Sequence, residues 1–364
     1  MISGVICLVM TLEKATNIIV RSLTPNRCYH VQWFVTRKCN YRCRGCDVWQ
    51  AQDTKELSTE EIKRGLDILR ELGVIEVVLS GGNPLLRDDI GEIIEYASRF
   101  FITTVYDNGS MAVKKIDDLR NADLVAISID SLNPEKNDYT KGIEGAWHNS
   151  MKAIEKLCEQ GISVSVSPTI SQFNLHEILD FTNYFTNKGI PIWYCLYSYD
   201  FSNDHSQLFK IGKKNDEFTI VDKETMVNVC NSLIEMKKKN SNILMTKKTL
   251  EAVKNLYLTG KRIWECRALQ NFFVIDHLGR VAGCHLHNPL ASIFDLPTVW
   301  NSPKFNAMRK TYNKCTQCTY ICYIFYSIHG TVIGNFQIAQ EQWKNAKLFL
   351  KKNSVTPLNL AKKQ

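Results

Sequence analysis

The sequence predicts an α/β protein in which six parallel strands curve into a partial (β/α)6 barrel, followed by a small α+β domain rich in cysteine. Two observations predict this fold class. Between residues 29 and 198, six short apolar segments alternate with amphipathic segments, which is the pattern of a parallel sheet covered by helices. After residue 200 the alternation ends, and five of the 13 cysteines follow residue 260.

The barrel strands are predicted at 29–36, 74–80, 101–106, 124–130, 163–169 and 192–198. Their nearly continuous hydrophobicity is expected of strands that are buried on both faces. Ser58 and Glu61 form a capping box at the start of the first helix, and Gly73 supplies its end. Beyond the barrel, the pattern predicts two helices, at 223–240 and 247–259. A hairpin is predicted at 272–284, with its turn at Leu278-Gly279.

Charge and composition divide the chain into regions. Residues 1–204 carry 21 basic and 27 acidic residues, whereas residues 205–364 carry 24 and 10, which gives net charges of −6 and +14. Such a step marks a boundary and gives the second part an attraction for anionic partners. The predicted regions are an N-terminal extension (1–28), the barrel (29–200), a connecting helical region (201–260), the cysteine-rich domain (261–340) and a basic tail (341–364).

The cysteine content points to metal or cluster binding. Apolar residues make up 45% of the chain and charged residues 23%, which excludes a disordered or fibrous protein. The number of cysteines is odd and no secretory signal precedes them. A disulfide framework is therefore disfavoured, and metal binding in a reducing cytoplasm is predicted instead.

A segment without charge lies near the C-terminus. Residues 319–339 contain no Asp, Glu, Lys or Arg. Its polar residues and its position after a cysteine pair favour a segment packed inside the second domain. Because a basic tail follows, contact with a membrane surface is kept as an alternative.

Cys39, Cys43 and Cys46 form a CxxxCxxC loop directly after the first strand. Three thiolates from one loop can hold three irons of a 4Fe–4S cluster and leave the fourth iron open to another ligand. The alternative is a zinc site, which would need a fourth ligand nearby.

Three further motifs follow the next three strands: Gly81-Gly82-Asn83-Pro84, Tyr106-Asp107-Asn108-Gly109, and Ser128 with Asp130. With these motifs, residues 29–200 resemble the radical S-adenosylmethionine (radical SAM) superfamily. The resemblance implies that the three cysteines hold the cluster and that S-adenosylmethionine binds its open iron. One electron then cleaves the cofactor to methionine and a 5′-deoxyadenosyl radical, which abstracts hydrogen from an unactivated C–H bond.

The resemblance also implies individual roles. Gly81, Gly82, Asn83 and Pro84 match the GGEP motif, whose backbone meets the amino group of the cofactor. Asn108 belongs to a TNG-like segment, and Ser128 with Asp130 would bond the ribose hydroxyls, a structural role of Asp130 being the alternative. Two positions depart from the family: Gly45 stands where an aromatic residue is usual, with Tyr41 or Trp49 as substitutes, and Asn83 stands where the motif has Glu.

The second cysteine set resembles the opening of the SPASM/twitch extension that follows many radical SAM barrels. Cys266 and Cys284 stand at Cx12Gx4C spacing, and Cys315 and Cys318 form a CxxC. The resemblance implies that these four hold one auxiliary iron–sulfur cluster. Cys322 is a spare: a further ligand, a radical relay or a buried thiol. The alternatives for the site are a cluster with three ligands that is open to substrate, and zinc or no metal. His285 and His287 are expected to face solvent.

The predicted function is that of a radical SAM enzyme acting on an organic substrate: a small metabolite or cofactor, a lipid, or a peptide. Flavodoxin or ferredoxin is expected as the electron donor, and no nucleic-acid partner is predicted. The expected location is the cytoplasm, with membrane association as the alternative. The alternative function is a non-catalytic iron–sulfur or zinc scaffold or electron carrier.

Overall fold

The structure is a computed structural model that describes residues 28–50, 55–198, 216–316 and 319–330, with scattered positions between 14 and 23 and between 332 and 341. The strands are β1 (His30–Thr36), β2 (Glu76–Gly81), β3 (Ile102–Asp107), β4 (Leu124–Ile127), β5 (Val164–Val166), β6 (Thr169–Ile170), β7 (Cys195–Leu196), β8 (Phe272–Ile275), β9 (Arg280–Ala282) and β10 (Ala291–Ser292).

Helices connect and cover the strands. They are α1 (Thr59–Glu71), α2 (Ile90–Ser98), α3 (Pro134–Lys141), α4 (Ala146–Glu159), α5 (Ile178–Asn187), α6 (Lys223–Lys239), α7 (Lys247–Thr259), α8 (Leu296–Val299), α9 (Pro303–Lys314) and α10 (Ile321–His329). The capping box of Ser58 and Glu61 is present at α1, and Gly73 follows that helix with a φ of 81°. These start and stop signals are confirmed.

The barrel is an open parallel sheet. Strands β1 to β5 pair in chain order, each parallel to the next. The chain then continues into β6, which pairs in parallel with β7, and a bridge between Val166 and Ile192 joins the two parts. The predicted α/β class and partial barrel are confirmed, and among the described residues the sheet does not close.

The hairpin of the second part extends the barrel sheet. Strands β8 and β9 pair antiparallel across the turn that contains Gly279, where the sequence predicts it. Strand β8 also pairs in parallel with β1, placing Phe272 opposite His30. Because this edge of β1 is covered, the strand that precedes the cysteine loop is hydrogen-bonded on both sides.

The predicted burial of the uncharged segment is confirmed for α10, which packs on the barrel, and not for Ile333 and Phe336, which are 74% and 70% exposed. In α10, Ile321, Tyr323, Ile324, Phe325 and Tyr326 are all buried. The Tyr326 hydroxyl donates to Glu76 at 2.6 Å, and its ring stacks on His30 at 3.8 Å between centroids. Since these two partners begin β2 and β1, α10 closes the N-terminal end of the barrel. None of the helices in the described ranges has the length and apolar character that crossing a bilayer requires.

We expect the contact between α10 and α7 to weaken in mild acid. His329 and Thr246 are buried and their side chains meet at 2.7 Å. Burial, assisted by the Lys248 cation, lowers the pKa of His329 to about 4. A depressed histidine pKa means that this stability is complete above the ordinary pKa of about 6.5 and is lost as the pH falls below it.

The test compares the wild type with His329→Gln by urea unfolding at about pH 7.5 and about pH 5.5. The free energy of unfolding of the wild type should fall by about 1 kcal/mol more than that of the variant. Equal pH dependence in both proteins would contradict the assignment, whatever their difference at pH 7.5.

Candidate metal and cofactor site

The three cysteines of the first motif lie in the loop that follows β1. The Cys46 amide donates to the Cys43 carbonyl at 3.3 Å, and the Trp49 indole donates to the same carbonyl at 3.3 Å. The Arg44 amide donates to the Thr140 carbonyl at 3.0 Å, which ties the loop to the end of α3. The loop lies at the C-terminal edge of the sheet, and its three thiols are close enough to act electrostatically on one another.

The environment of the thiols suits a positively charged centre. Burial raises the pKa of Cys43 to about 12, and Cys46 and Cys39 add to the shift because thiolates repel one another. Burial likewise raises the pKa of Cys46 to about 11. Thiols in this setting stay protonated unless a metal centre supplies compensating positive charge.

The residue types bear on the kind of metal. Among the described residues, no three His, Cys, Asp or Glu side chains lie together as a preformed site for one metal ion. Thiolates are the protein ligands of four-iron clusters, and three of them leave one iron without a protein ligand. A structural zinc site would need a fourth ligand nearby.

The Gly81-Gly82 turn packs directly on the cysteine loop. The Gly82 amide donates to the Thr36 carbonyl at 3.0 Å, and a Cβ on Gly82 would lie 2.2 Å from the Lys38 carbonyl oxygen. Gly81 has a φ of +146°, and a Cβ there would lie 2.2 Å from the Thr36 carbonyl oxygen. In this structure the glycines thus admit the neighbouring backbone, a reason that differs from the ligand approach expected from sequence.

Asn83 joins this turn to the loop after β3. Its side chain is fully buried, and its amide nitrogen donates to the Asp107 carboxylate at 2.8 Å and to Asn108 at 3.1 Å. Burial raises the pKa of Asp107, although the hydrogen bond from Asn83 opposes the shift. A glutamate at 83 would place a second carboxylate against Asp107, so the departure from the motif has a physical reason here.

Ser128 and Asp130 lie just beyond β4 and are held by a buried lysine that the sequence analysis missed. Lys141 donates to the Ser128 hydroxyl at 2.6 Å and pairs with Asp130 at 2.7 Å. Burial lowers the pKa of Lys141, but the charges of Asp130 and Cys43 outweigh it and the net pKa is raised. The other Asp130 oxygen accepts from the Thr169 amide at 2.8 Å, so both oxygens are engaged within the protein.

No local signal in the sequence distinguishes Lys141 from exposed lysines. It is the last residue of α3, a position where a solvated cation is common. Its burial depends on β4, β6 and the cysteine loop meeting around it. This is a long-range arrangement that sequence spacing does not encode.

An aromatic ring does pack beside Gly45, but it comes from the end of β7. A Cβ on Gly45 would lie 2.8 Å from Cε2 of Tyr197, so the ring occupies the space where a larger side chain would begin. The Tyr197 ring also packs on Phe218 at 5.5 Å. The substitutes considered from sequence are used elsewhere: the Tyr41 hydroxyl accepts from Asn149 at 3.3 Å, and Arg42 stacks over Trp49.

Three of the four predicted auxiliary ligands surround one buried ring. The Tyr312 side chain is 1% exposed; burial chiefly, and then the nearby thiols of Cys284, Cys266 and Cys315, raise its pKa. Burial also raises the pKa of Cys266 to about 11, with Cys315 adding to the shift. Cys318 lies outside the described residues.

Cys322 faces a different environment, on the barrel side of α10. Its thiol acts electrostatically on Tyr106 of β3 and on Tyr326, both of which point into the barrel.

The expectation that His285 faces solvent is wrong: it is 3% exposed, and its ring packs on Phe34 at 5.0 Å. Helix α10 covers this histidine, because the Tyr323 hydroxyl lies 3.0 Å from its Nδ1 atom.

The fold and these two cysteine sites define a class of protein: a partial parallel barrel with a three-cysteine cluster loop and a cysteine-rich extension. Family models agree with both parts. The Radical SAM superfamily model matches residues 33–185, and an iron-sulfur cluster-binding domain, SPASM, matches residues 266–319. The chain therefore carries a radical SAM domain followed by a SPASM domain. The predicted cofactors, iron–sulfur clusters and S-adenosylmethionine, are those of these domains.

Curated relatives match about half of the chain. An AdoMet-dependent heme synthase of Oleidesulfovibrio alaskensis is 31% identical over 173 residues, which is 46% of this chain and 45% of the relative. A probable GTP 3′,8-cyclase of Archaeoglobus fulgidus is 34% identical over 43% of this chain and 54% of its own. The matched region thus spans about half the length of these relatives.

Solved structures share the fold over most of the chain. Streptococcus suis SuiB bound to S-adenosylmethionine superposes with a TM-score of 0.61 and 15% identity, covering 88% of this chain and 76% of SuiB. The structure of anSMEcpe with AdoMet and a Cp18Cys peptide gives a TM-score of 0.57 and 12% identity, covering 89% and 98%.

We expect Asn83→Asp to destabilise the protein by about 2–4 kcal/mol, because it places a second carboxylate against buried Asp107. The exchanged pair Asn83→Asp/Asp107→Asn should recover at least half of this loss. An asparagine at 107 can still accept from the Gly109 and Ala112 amides, which now meet one Asp107 oxygen at 3.0 Å each.

Urea unfolding of the two single variants and the exchanged pair forms a double-mutant cycle that isolates the contact. A single variant within about 0.5 kcal/mol of the wild type, or additive single effects, would show that the contact does not matter.

Proposed function

We propose that the chain is a radical SAM enzyme in which Cys39, Cys43 and Cys46 hold a 4Fe–4S cluster. The observation that carries the proposal is the convergence of three thiols from one loop beside a buried cation at the C-terminal edge of a parallel barrel. When bound, the cluster would supply one electron to S-adenosylmethionine, whose cleavage gives methionine and a 5′-deoxyadenosyl radical that abstracts hydrogen from a substrate C–H bond.

The residues of the chain would bind and orient the cofactor. Lys141 with Ser128 presents a buried cation and a hydroxyl within electrostatic reach of Cys43. The carboxylate is the anionic group of S-adenosylmethionine, so a buried cation next to the cluster suits it. The carbonyls of the turn formed by Gly81, Gly82, Asn83 and Pro84 suit its ammonium group.

The remaining contacts are proposed on position. Asn108 and Asp130 stand at the same edge of the sheet, within reach of the ribose. Since both Asp130 oxygens are engaged within the protein, a ribose contact would share or replace one of these bonds. Tyr197 supplies an aromatic surface beside the cysteine loop at the position where Gly45 offers none.

The barrel interior suits a polar organic substrate. Gln32 donates to Ser80 at 3.2 Å, and Ser167 meets Cys195 at 3.5 Å. Tyr106 interacts with Ser167 and Cys195 across the barrel, and the Glu76 carboxylate also acts on it, so polar and hydrogen-bonding groups line the interior. A lipid is less well supported, because the apolar residues of α10 are buried and the exposed apolar surface of the described part of 319–339 is limited to Ile333 and Phe336.

Two observations support a peptide or a small metabolite as the substrate. By name, the relatives include a heme synthase, a GTP cyclase and a bacteriocin biosynthesis protein, and the structural neighbours include complexes with peptides. The polar interior accommodates hydrogen-bonding groups of either class. The non-catalytic alternative would need neither the buried cation of Lys141 nor the vacancy left by a three-cysteine ligand set.

The first test is cofactor cleavage by anaerobically reconstituted protein. With dithionite, the wild type should convert S-adenosylmethionine to methionine and 5′-deoxyadenosine. In Cys39→Ala/Cys43→Ala/Cys46→Ala the rate should fall at least about a hundredfold, and iron should fall from about eight to about four per chain. Mass spectrometry and iron analysis provide the readouts.

The matched control is Cys158→Ala/Cys230→Ala, which removes two packed cysteines and should keep both the iron and the activity. Full iron content without any cleavage in the wild type would favour the scaffold or electron-carrier function. Zinc in place of iron at both sites would reject the enzyme.

We expect loss of Lys141 to weaken cofactor binding. Lys141→Met/Asp130→Asn removes the pair without leaving a buried charge, and the Kd for S-adenosylmethionine should rise at least about tenfold, as the loss of a charge-assisted hydrogen bond predicts. Asp130→Asn alone is the control for the carboxylate, and Lys141→Arg should retain part of the affinity. Unchanged binding in the double variant, at unchanged iron content, would exclude this role.

A further inference from the structure

A surface over the auxiliary cysteines combines exposed apolar side chains with basic ones. Leu258 is 65% exposed and Ile263 is 61% exposed. Lys261, Lys310 and Lys314 are exposed as well. We call this surface the basic patch and define it by these five residues together with Arg262 and Trp264.

Contacts of Arg262 join two parts of the basic patch. Arg262 donates to the Cys315 carbonyl at 2.7 Å, which places the segment before β8 against the C-terminal end of α9. The Arg262 guanidinium also lies over the Trp264 ring at 5.1 Å. Lys310 precedes Lys314 by one turn of α9, so both lie on one face of the helix.

The charge of the region is one-sided. Residues 296–340 contain four basic residues and no Asp or Glu. Within the described ranges, no carboxylate forms an ion pair with the three lysines of the basic patch. The acidic neighbour Glu265 is paired with Arg267 at 3.1 Å, so the positive charge of the three lysines is not offset by that carboxylate.

The basic patch lies directly over the auxiliary site. Cys315 follows Lys314 in the chain and accepts the Arg262 hydrogen bond through its carbonyl. Cys266 is two residues beyond Trp264, and Cys266 and Cys315 are close enough to influence each other electrostatically. A protein bound on this surface would therefore approach the auxiliary cluster.

We propose that the basic patch is the docking surface for an acidic, one-electron donor protein that reduces the auxiliary cluster. This inference rests on the proposed function, because it assumes that Cys266, Cys284 and Cys315 hold a cluster. The donor loses one electron and the cluster gains it, with no bond formed or broken. Cationic rims with a small apolar centre are suited to brief complexes, in which charge steers association.

The test uses the reconstituted full chain and flavodoxin, a small acidic flavoprotein, as the probe. Lys261→Glu/Lys310→Glu/Lys314→Glu reverses the charge of the basic patch. The control, Lys223→Glu/Lys239→Glu/Lys248→Glu, makes the same change of charge at exposed positions at the ends of α6 and the start of α7. Stopped-flow absorbance follows cluster reduction by flavodoxin hydroquinone, and fluorescence anisotropy of labelled flavodoxin gives the Kd.

The patch variant should be reduced by flavodoxin at least about tenfold more slowly than the control at low salt, and the difference should shrink at high salt. Its reduction by dithionite should match that of the control, which shows that the cluster is intact. Equal rates and Kd values for the two variants would overturn the proposal. So would unchanged flavodoxin reduction combined with lost binding to vesicles of anionic phospholipid, which would identify a membrane as the occupant.

The experiments distinguish failure of the proposed enzyme from failure of the proposed docking surface. If the wild type does not cleave S-adenosylmethionine with dithionite, the enzyme is rejected while flavodoxin binding and cluster reduction still report on the basic patch. If cleavage occurs with dithionite but flavodoxin ignores the charge reversal, only the docking surface is rejected.

Discussion

The position of the candidate site depends on the hydrogen bonding of β1 along both edges. Strand β2 pairs with one edge and the hairpin strand β8 with the other, so β1 cannot shift register without breaking two ladders. The cysteine loop begins where β1 ends, and the Gly81-Gly82 turn at the end of β2 bonds back to Thr36. The same pairing brings the auxiliary hairpin to the barrel, since the chain runs from β8 through β9 to Cys284.

Around this frame the site is built from buried polar groups that satisfy one another. Lys141 balances Asp130, and Asn83 donates to Asp107. Buried pairs of this kind contribute little net stability compared with apolar packing, yet removal of one partner leaves a costly unpaired group. Their effect is to fix the strand ends relative to one another, which a bound cofactor requires.

The second part of the chain has two structural tasks that follow from its sequence. Its uncharged segment contributes α10, whose Tyr326 closes the barrel against Glu76, and the lysines of the basic patch remain on the surface near Cys315. Apolar burial accounts for the first, because α10 finds an apolar and aromatic environment at the barrel end. The excess positive charge, left outside, is then free to act on partners.

By itself the sequence determined the order of most elements, the hairpin turn, the place of the cysteine loop and the likeness to radical SAM proteins, because hydrophobic periodicity, capping residues and cysteine spacing are local signals. Only the tertiary structure decided that Lys141 is buried beside Cys43, that Tyr197 packs on Gly45, and that His285 is enclosed. It also decided that the glycines of the Gly81-Gly82 turn admit the β1 backbone. Each of these features joins residues far apart in the chain, and burial depends on what packs from elsewhere, which no local pattern contains.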